Sequence, residues 1–171
     1  MNNQAFIDGQ NLTLSTTLSL DPWKVDLFRF RVYLREKYNI EKAYYFLGFM
    51  DEKYEKLYQR LSDAGFILVF RAHGDDFKSR KKGNVDTDIV FMMMKNFHER
   101  NDSKKFFLVS GDGDYYKTIL YLKNKGVLGK ILFPAHFRAS SLYRDIGGSF
   151  YTYLDDPSIK EKIELKNEGF A

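Results

Sequence analysis

The chain has 171 residues, of which 44% are hydrophobic and 17% aromatic, enough for one globular domain with a full core and too apolar for a disordered chain. The lack of cysteine excludes a disulfide framework, a thiolate metal site and a cysteine nucleophile. With 27 basic and 23 acidic residues the net charge is +4, a lean toward polyanionic partners that the placement of the charges must sharpen. The start, MNNQAFIDGQN, has no basic signal-like leader, and no run approaches the roughly 20 apolar residues of a membrane span, so a cytoplasmic protein without membrane contact is expected.

Gln4 to Asp8 (QAFID) is a short apolar run ending in an acid and Gly9, which predicts a first strand with Asp8 at its carboxyl end. Gln10 to Leu20, rich in Ser and Thr, reads as a connection longer than the ~2 to 6 residues usual after a strand, either a lid or plain loop decoration. Asp21 and Pro22 predict a helix start, because Asp can cap free amides and Pro is tolerated at the first helical position. Trp23, Leu27, Phe30 and Leu34 follow at helical spacing. Ala43 to Phe49 is nearly all apolar, as a central strand buried on both faces should be. Tyr54, Leu57, Tyr58 and Leu61 mark a second helix closed by Gly65, and Phe66 to Phe70 a third strand.

The next connection, RAHGDDFKSRKKGN, holds Arg71, Lys78, Arg80, Lys81 and Lys82 and leads to a helix marked by Val85, Ile89, Val90, Met93 and Phe97. Phe106 to Val109 is a fourth buried strand, cut off by Ser110, Gly111, Asp112, Gly113 and Asp114 before helical spacing resumes at Tyr115, Ile119 and Leu122. Gly126 ends that helix, Val127 to Phe133 is a fifth strand, a short helix surrounds Leu142, and Phe150 to Leu154 is a last strand. Asp155, Asp156 and Pro157 start a terminal helix, so residues 1–154 are expected to form the domain and 155–171 a C-terminal helical tail. The alternation predicts a three-layer α/β/α fold with a central parallel sheet in the order 3-2-1-4-5, extended by the last strand.

That order brings Asp8 and Asp112 to one crevice at the carboxyl ends of adjacent strands, where open α/β sheets bind ligands. At ~100° per residue Asp86 falls within the apolar arc of its helix and Asp88 roughly opposite, so Asp86 should face the protein and Asp88 the solvent. Plain alternatives stand beside each: a turn and helix cap for Asp112 and Asp114, helix-dipole stabilisation for Asp86. Asp8, Asp86, Asp112 and Asp114, without Cys and without His spaced as a ligand pair, make an all-oxygen set suited to Mg²⁺ or Mn²⁺. Asn11 could add a neutral oxygen, orient a carboxylate, or form only an Asx-turn. The basic connection, with Arg138, Ser140 and Ser141 after the fifth strand, is the candidate phosphate contact, although Asp75 and Asp76 partly neutralise the former and a solvated loop is the other reading. His73, His98 and His136 are isolated, and no catalytic role is assigned to them.

FIDGQN, KKGNVDTDIVFMM and LVSGDGDYY resemble, in order and spacing, the three acidic motifs of the NYN domain, a branch of the PIN-like nuclease superfamily. The resemblance spans Phe6 to Leu154 and implies a Rossmann-like PIN fold and Mg²⁺- or Mn²⁺-dependent cleavage of RNA, with Asp8, Asp86, Asp112 and Asp114 as the acidic residues. Ser110 and Asn11 match polar positions of those motifs. Met94, beside Met92 and Met93, stands where many NYN sequences carry a further acid, which leaves one against two metals open. The partner expected is RNA, single strands favoured, with a homodimer left open. The rival reading is a catalytically silent RNA-binding or adaptor domain; a nucleotide-binding dehydrogenase is disfavoured because Gly9 starts no G-x-G-x-x-G.

Overall fold

The computed structural model describes residues 2–72, 85–100, 102 and 104–166. Its strands are β1 (Asn3–Asp8), β2 (Ile40–Phe46), β3 (Ile67–Val69), β4 (Phe106–Val109), β5 (Leu128–Phe133) and β6 (Tyr151–Tyr153). They form one parallel sheet in the order β3-β2-β1-β4-β5-β6, as the alternation of elements predicts. The helices are α1 (Gly9–Thr17), α2 (Leu27–Tyr38), α3 (Glu55–Asp63), α4 (Val85–Glu99), α5 (Tyr116–Asn124) and α6 (Pro157–Ile163).

Strand periodicity divides the interior into two cores, because successive side chains of a strand point to opposite faces. Along β1, Ala5 and Ile7 join Leu12, Phe30, Leu34, Leu61 and Ile163 on one face. Phe6 points the other way, into a core with Ile89, Met93, Ile119, Leu122 and Tyr143. Helices α1, α2, α3 and α6 therefore cover one face, and α4 and α5 the other.

Two expectations about local structure are corrected. Gln10 to Leu20 is no lid: α1 follows β1 directly, capped by Asp8, whose Oδ1 accepts the Asn11 N–H at 2.9 Å. Its Ser/Thr-rich sequence has weak helix propensity, but burial of Leu12 and Thr16 and the cap outweigh it. Helix α2 is capped by Asp26, whose Oδ1 accepts the Arg29 N–H, and not by Asp21. Asp21 instead meets Lys160 of α6 at 2.6 Å, and Val25 bridges Glu164, so tertiary pairing holds this segment extended. Among the described residues, no helix is long and apolar enough to cross a membrane.

Candidate metal centre

β1 and β4 are neighbours with Ile7 level with Val109, so the turns that follow them open at one place. After β4 the chain runs through Ser110–Asp112 into a 3₁₀ turn, Gly113–Tyr115, and on into α5. Ser110 Oγ accepts the Asp112 N–H at 3.2 Å, and Asp112 Oδ1 accepts the Asp114 N–H at 3.0 Å, so side chains of the turn fix its own backbone. The two glycines are needed for room. A Cβ at Gly111 would lie 2.6 Å from the Arg138 carbonyl oxygen, and one at Gly113 2.6 Å from Ser140 Oγ. The segment after β5 thus packs directly on this turn, where the Ser140 N–H donates to the Gly111 carbonyl at 2.9 Å and the Tyr143 hydroxyl to the Asp112 carbonyl at 2.5 Å.

Helix α4 brings Asp86 from its first turn. One carboxylate oxygen each from Asp86, Asp112 and Asp114 lies within 4.8 Å of the others, with Asp86 and Asp112 half-buried and Asp114 exposed. Three carboxylates this close repel one another, and a hard divalent cation satisfies an all-oxygen set of this kind. Asp88, on the same helix, stands outside the trio.

Asp8 lies behind the trio, 5% exposed. Its Oδ2 accepts the Tyr115 hydroxyl at 3.0 Å and stands 3.5 Å from Ser110 Oγ. The same Tyr115 oxygen is 2.6 Å from Asp86 Oδ1, so the two carboxylate oxygens are at most about 5.6 Å apart with the phenol between them. Burial raises the Asp8 carboxyl above its ordinary 3.8; the charges of Asp86 and Asp112 add to this, and the bonds from Asn11 and Tyr115 oppose it. Burial, then the charges of Asp8 and Asp86, also raises the Tyr115 hydroxyl, which keeps its proton. A phenol has one proton for two carboxylates, so it donates fully to one at a time; when Asp8 is protonated, its own O–H supplies the second bond.

Tyr115 is the member of the site that the sequence marks only as the start of a helical spacing. The available signal was its position directly after two acids at a strand end, since a buried tyrosine hydroxyl needs a polar partner. Asn11 also has a defined place. Its Oδ1 accepts the Gly111 N–H at 3.0 Å while its N–H caps onto Asp8, so it ties the turn after β1 to the turn after β4.

The basic residues are spread more widely. Arg71 is half-buried past β3, its guanidinium 5.9 Å from the Phe49 ring. Lys78, Arg80, Lys81 and Lys82 lie outside the described residues. Arg138 is exposed, its guanidinium 5.5 Å from the Phe137 ring, in the segment that packs on the Asp112 turn.

A parallel sheet with helices on both faces and an acidic cluster at its switch point defines a Rossmann-like class of protein. Within it the chain belongs to the NYN domain family, part of the PIN-like nuclease superfamily, whose profile matches residues 4–147. A crystal structure of a protein of unknown function from Vibrio parahaemolyticus is similar over 96% of both chains, with a TM-score of 0.74 and 16% identity, a likeness of fold. No curated protein matches the chain.

Proposed function

We propose that this chain is a metal-dependent ribonuclease that hydrolyses RNA phosphodiester bonds at the carboxyl ends of β1 and β4. The observation that carries the reading is the trio of Asp86, Asp112 and Asp114, with ligand oxygens within 4.8 Å, at the switch point of an NYN-family domain. The donor chemistry fits Mg²⁺ or Mn²⁺: three carboxylates, no sulfur and no imidazole. Such a cation, when bound, supplies a water of lowered pKa and charge stabilisation for the phosphoryl oxygens.

The residues of the chain divide the remaining work. Asp112 and Asp114, on the turn after β4, and Asp86, on α4, would hold the cation. Tyr115 orients Asp86 from behind through the 2.6 Å hydroxyl contact, and Asp8, which the same hydroxyl holds, adds negative potential when ionised without entering the trio. Asn11 ties the two turns together, and Ser110 fixes the backbone of the second. Arg71, Lys78, Arg80, Lys81, Lys82 and Arg138 are assigned to the phosphates of a single strand, whose attraction is electrostatic and salt-dependent. The purified protein, incubated with RNA and DNA oligonucleotides in Mn²⁺ or Mg²⁺ and in EDTA, tests this. Cleavage of RNA that EDTA stops is expected; cleavage that survives EDTA, or metal-independent binding with no cleavage under any condition, overturns it.

A further inference from the structure

Next to the acidic trio lies a second feature, a half-open cavity of about 150 Å³ at the carboxyl ends of β5 and β6. Its aromatic wall is Phe133, Tyr143, Tyr151 and Tyr153. Phe133 is buried and packs against the other three at ring-centroid distances of 5.3 to 5.4 Å, while Tyr151 and Tyr153 meet at 72° and are each half-buried. The two half-buried rings meet at a steep angle and form a corner of the cavity wall, with one face of Tyr153 taken by His136.

The rest of the lining is mostly polar: His136, Ser140, Ser141 and Arg144. His136 lies flat on Tyr153 at 3.7 Å and is held through Nδ1 by Asp155 at 2.7 Å. Arg144 is exposed and has no carboxylate partner within salt-bridge distance among the described residues. The cavity is connected to the trio through its own wall. Tyr143, which lines it, donates its hydroxyl to the Asp112 carbonyl, and Ser140, which also lines it, sits against Gly113.

Size restricts the ligand. Drug-sized molecules fill roughly 300 to 1,000 Å³, whereas about 150 Å³ suits one planar ring system. Planar faces, edge hydrogen-bonding groups and an adjacent cation together describe one chemistry: a heterocyclic base attached to a phosphate. We propose that this cavity is a nucleobase pocket, which takes the base of a nucleotide neighbouring the phosphodiester held at the trio. The pocket makes the protein selective for the base at that position. The identification of the cleaved bond rests on the ribonuclease reading, but the binding of a base does not.

The test uses the four ribonucleoside 5′-monophosphates, inorganic phosphate and the intact protein in EDTA, followed by amide chemical shifts. Saturable shifts are expected at residues 139–144 and 151–153 with one or more nucleotides and not with phosphate alone. Tyr153→Leu should weaken that binding roughly tenfold or more, in line with the loss of an aromatic wall and of the ring that seats His136. Arg144→Gln, a change at an exposed side chain, provides a second variant free of packing effects and should also weaken it. Tyr121→Leu on α5, an exposed ring that packs on Phe97 of α4 and does not line the cavity, should have no effect. With Mn²⁺ and mixed-sequence RNA, the base preference beside the cut should flatten in Tyr153→Leu.

Equal shifts with phosphate alone, shifts confined to other segments, or nucleotide binding unchanged in both pocket variants would each overturn the pocket. Nucleotide binding at the pocket without any cleavage of RNA supports the pocket and refutes the ribonuclease reading. Cleavage with no binding at the pocket and an unaltered base preference does the reverse.

Discussion

Tyr115→Phe removes a single oxygen and tests the geometry behind the trio. In the folded protein that oxygen is 3.0 Å from Asp8 and 2.6 Å from Asp86, and Asp8 is 5% exposed. Without it, Asp8 keeps only the Asn11 N–H and the long Ser110 contact. A hydrogen bond to a charged group contributes about 1.5 to 3 kcal/mol, and a buried acceptor left short of donors costs a similar amount. We expect a loss of about 2 kcal/mol at neutral pH, which for a chain of this size lowers Tm by about 4 to 8 °C. The loss should be smaller near pH 4, because the Tyr115 bond lowers the Asp8 pKa and so favours its ionised form. Thermal and urea unfolding in EDTA, followed by the fluorescence of Trp23 and by circular dichroism, measure this directly. A double-mutant cycle with Asp8→Asn isolates the pair. A Tm shift below about 1 °C, or an identical loss with and without the Asp8 carboxylate, would refute the bridge.

Asp112→Asn should abolish metal-dependent cleavage and leave the fold intact, since removing one charge from a repulsive trio does not destabilise the metal-free protein; full activity of this variant would remove Asp112 from the mechanism. Asp8→Asn carries a pH signature. The folded-state pKa of Asp8 is raised by burial, so its contribution to stability is fully present below the ordinary 3.8 and is lost as pH rises through the folded value. The Tm of Asp8→Asn should therefore gain on wild type as pH climbs from about 4, and a variant whose Tm falls relative to wild type over that range would contradict the burial argument. Gly111→Ala should cost about 1 to 3 kcal/mol and lower activity, because its Cβ would lie 2.6 Å from the backbone oxygen of Arg138. Removing Lys78, Arg80, Lys81 and Lys82 should flatten the salt dependence of RNA binding by roughly 0.7 for each phosphate that no longer meets a cation, with turnover at saturating RNA nearly unchanged.

How far the sequence discloses this protein depends on the range of the interaction that decides each feature. The sheet order was legible because β1 and β4 are short apolar runs ended by acids and glycines, and because strands separated by helices leave few parallel topologies. The inward turn of Asp86 was legible for the same reason: helical period is a local property, and Val85, Ile89 and Met93 fix the buried arc. Asp26 displaced Asp21 as the cap of α2 through partners more than 130 residues away, Lys160 and Glu164, which no local signal reports. Similarly, Gln10–Leu20 looked like a loop by composition but was made helical by the Asp8 cap and the packing of Leu12.

The division between Asp8 and the trio lies at the far end of that scale. In sequence the four acids are equivalent members of three motifs, and only the packing of Tyr115 separates them. Its ring fills the core under α4 while its hydroxyl occupies the space between Asp8 and Asp86. An acid buried behind a phenol keeps its charge at a cost, and that cost falls when positive charge is added nearby. On the proposed reading Asp8 would be a coupling element: cation binding at the trio should favour its ionised form, and its ionised form should favour the cation, by the same factor in each direction. Replacing Asp8 with Asn should weaken Mn²⁺ binding in proportion to the fraction of Asp8 ionised in wild type. The difference in affinity between the two proteins should consequently widen with rising pH and level off once Asp8 is fully charged. Isothermal titration with Mn²⁺ across that range measures it, and a difference that does not change with pH would show that Asp8 and the trio are uncoupled.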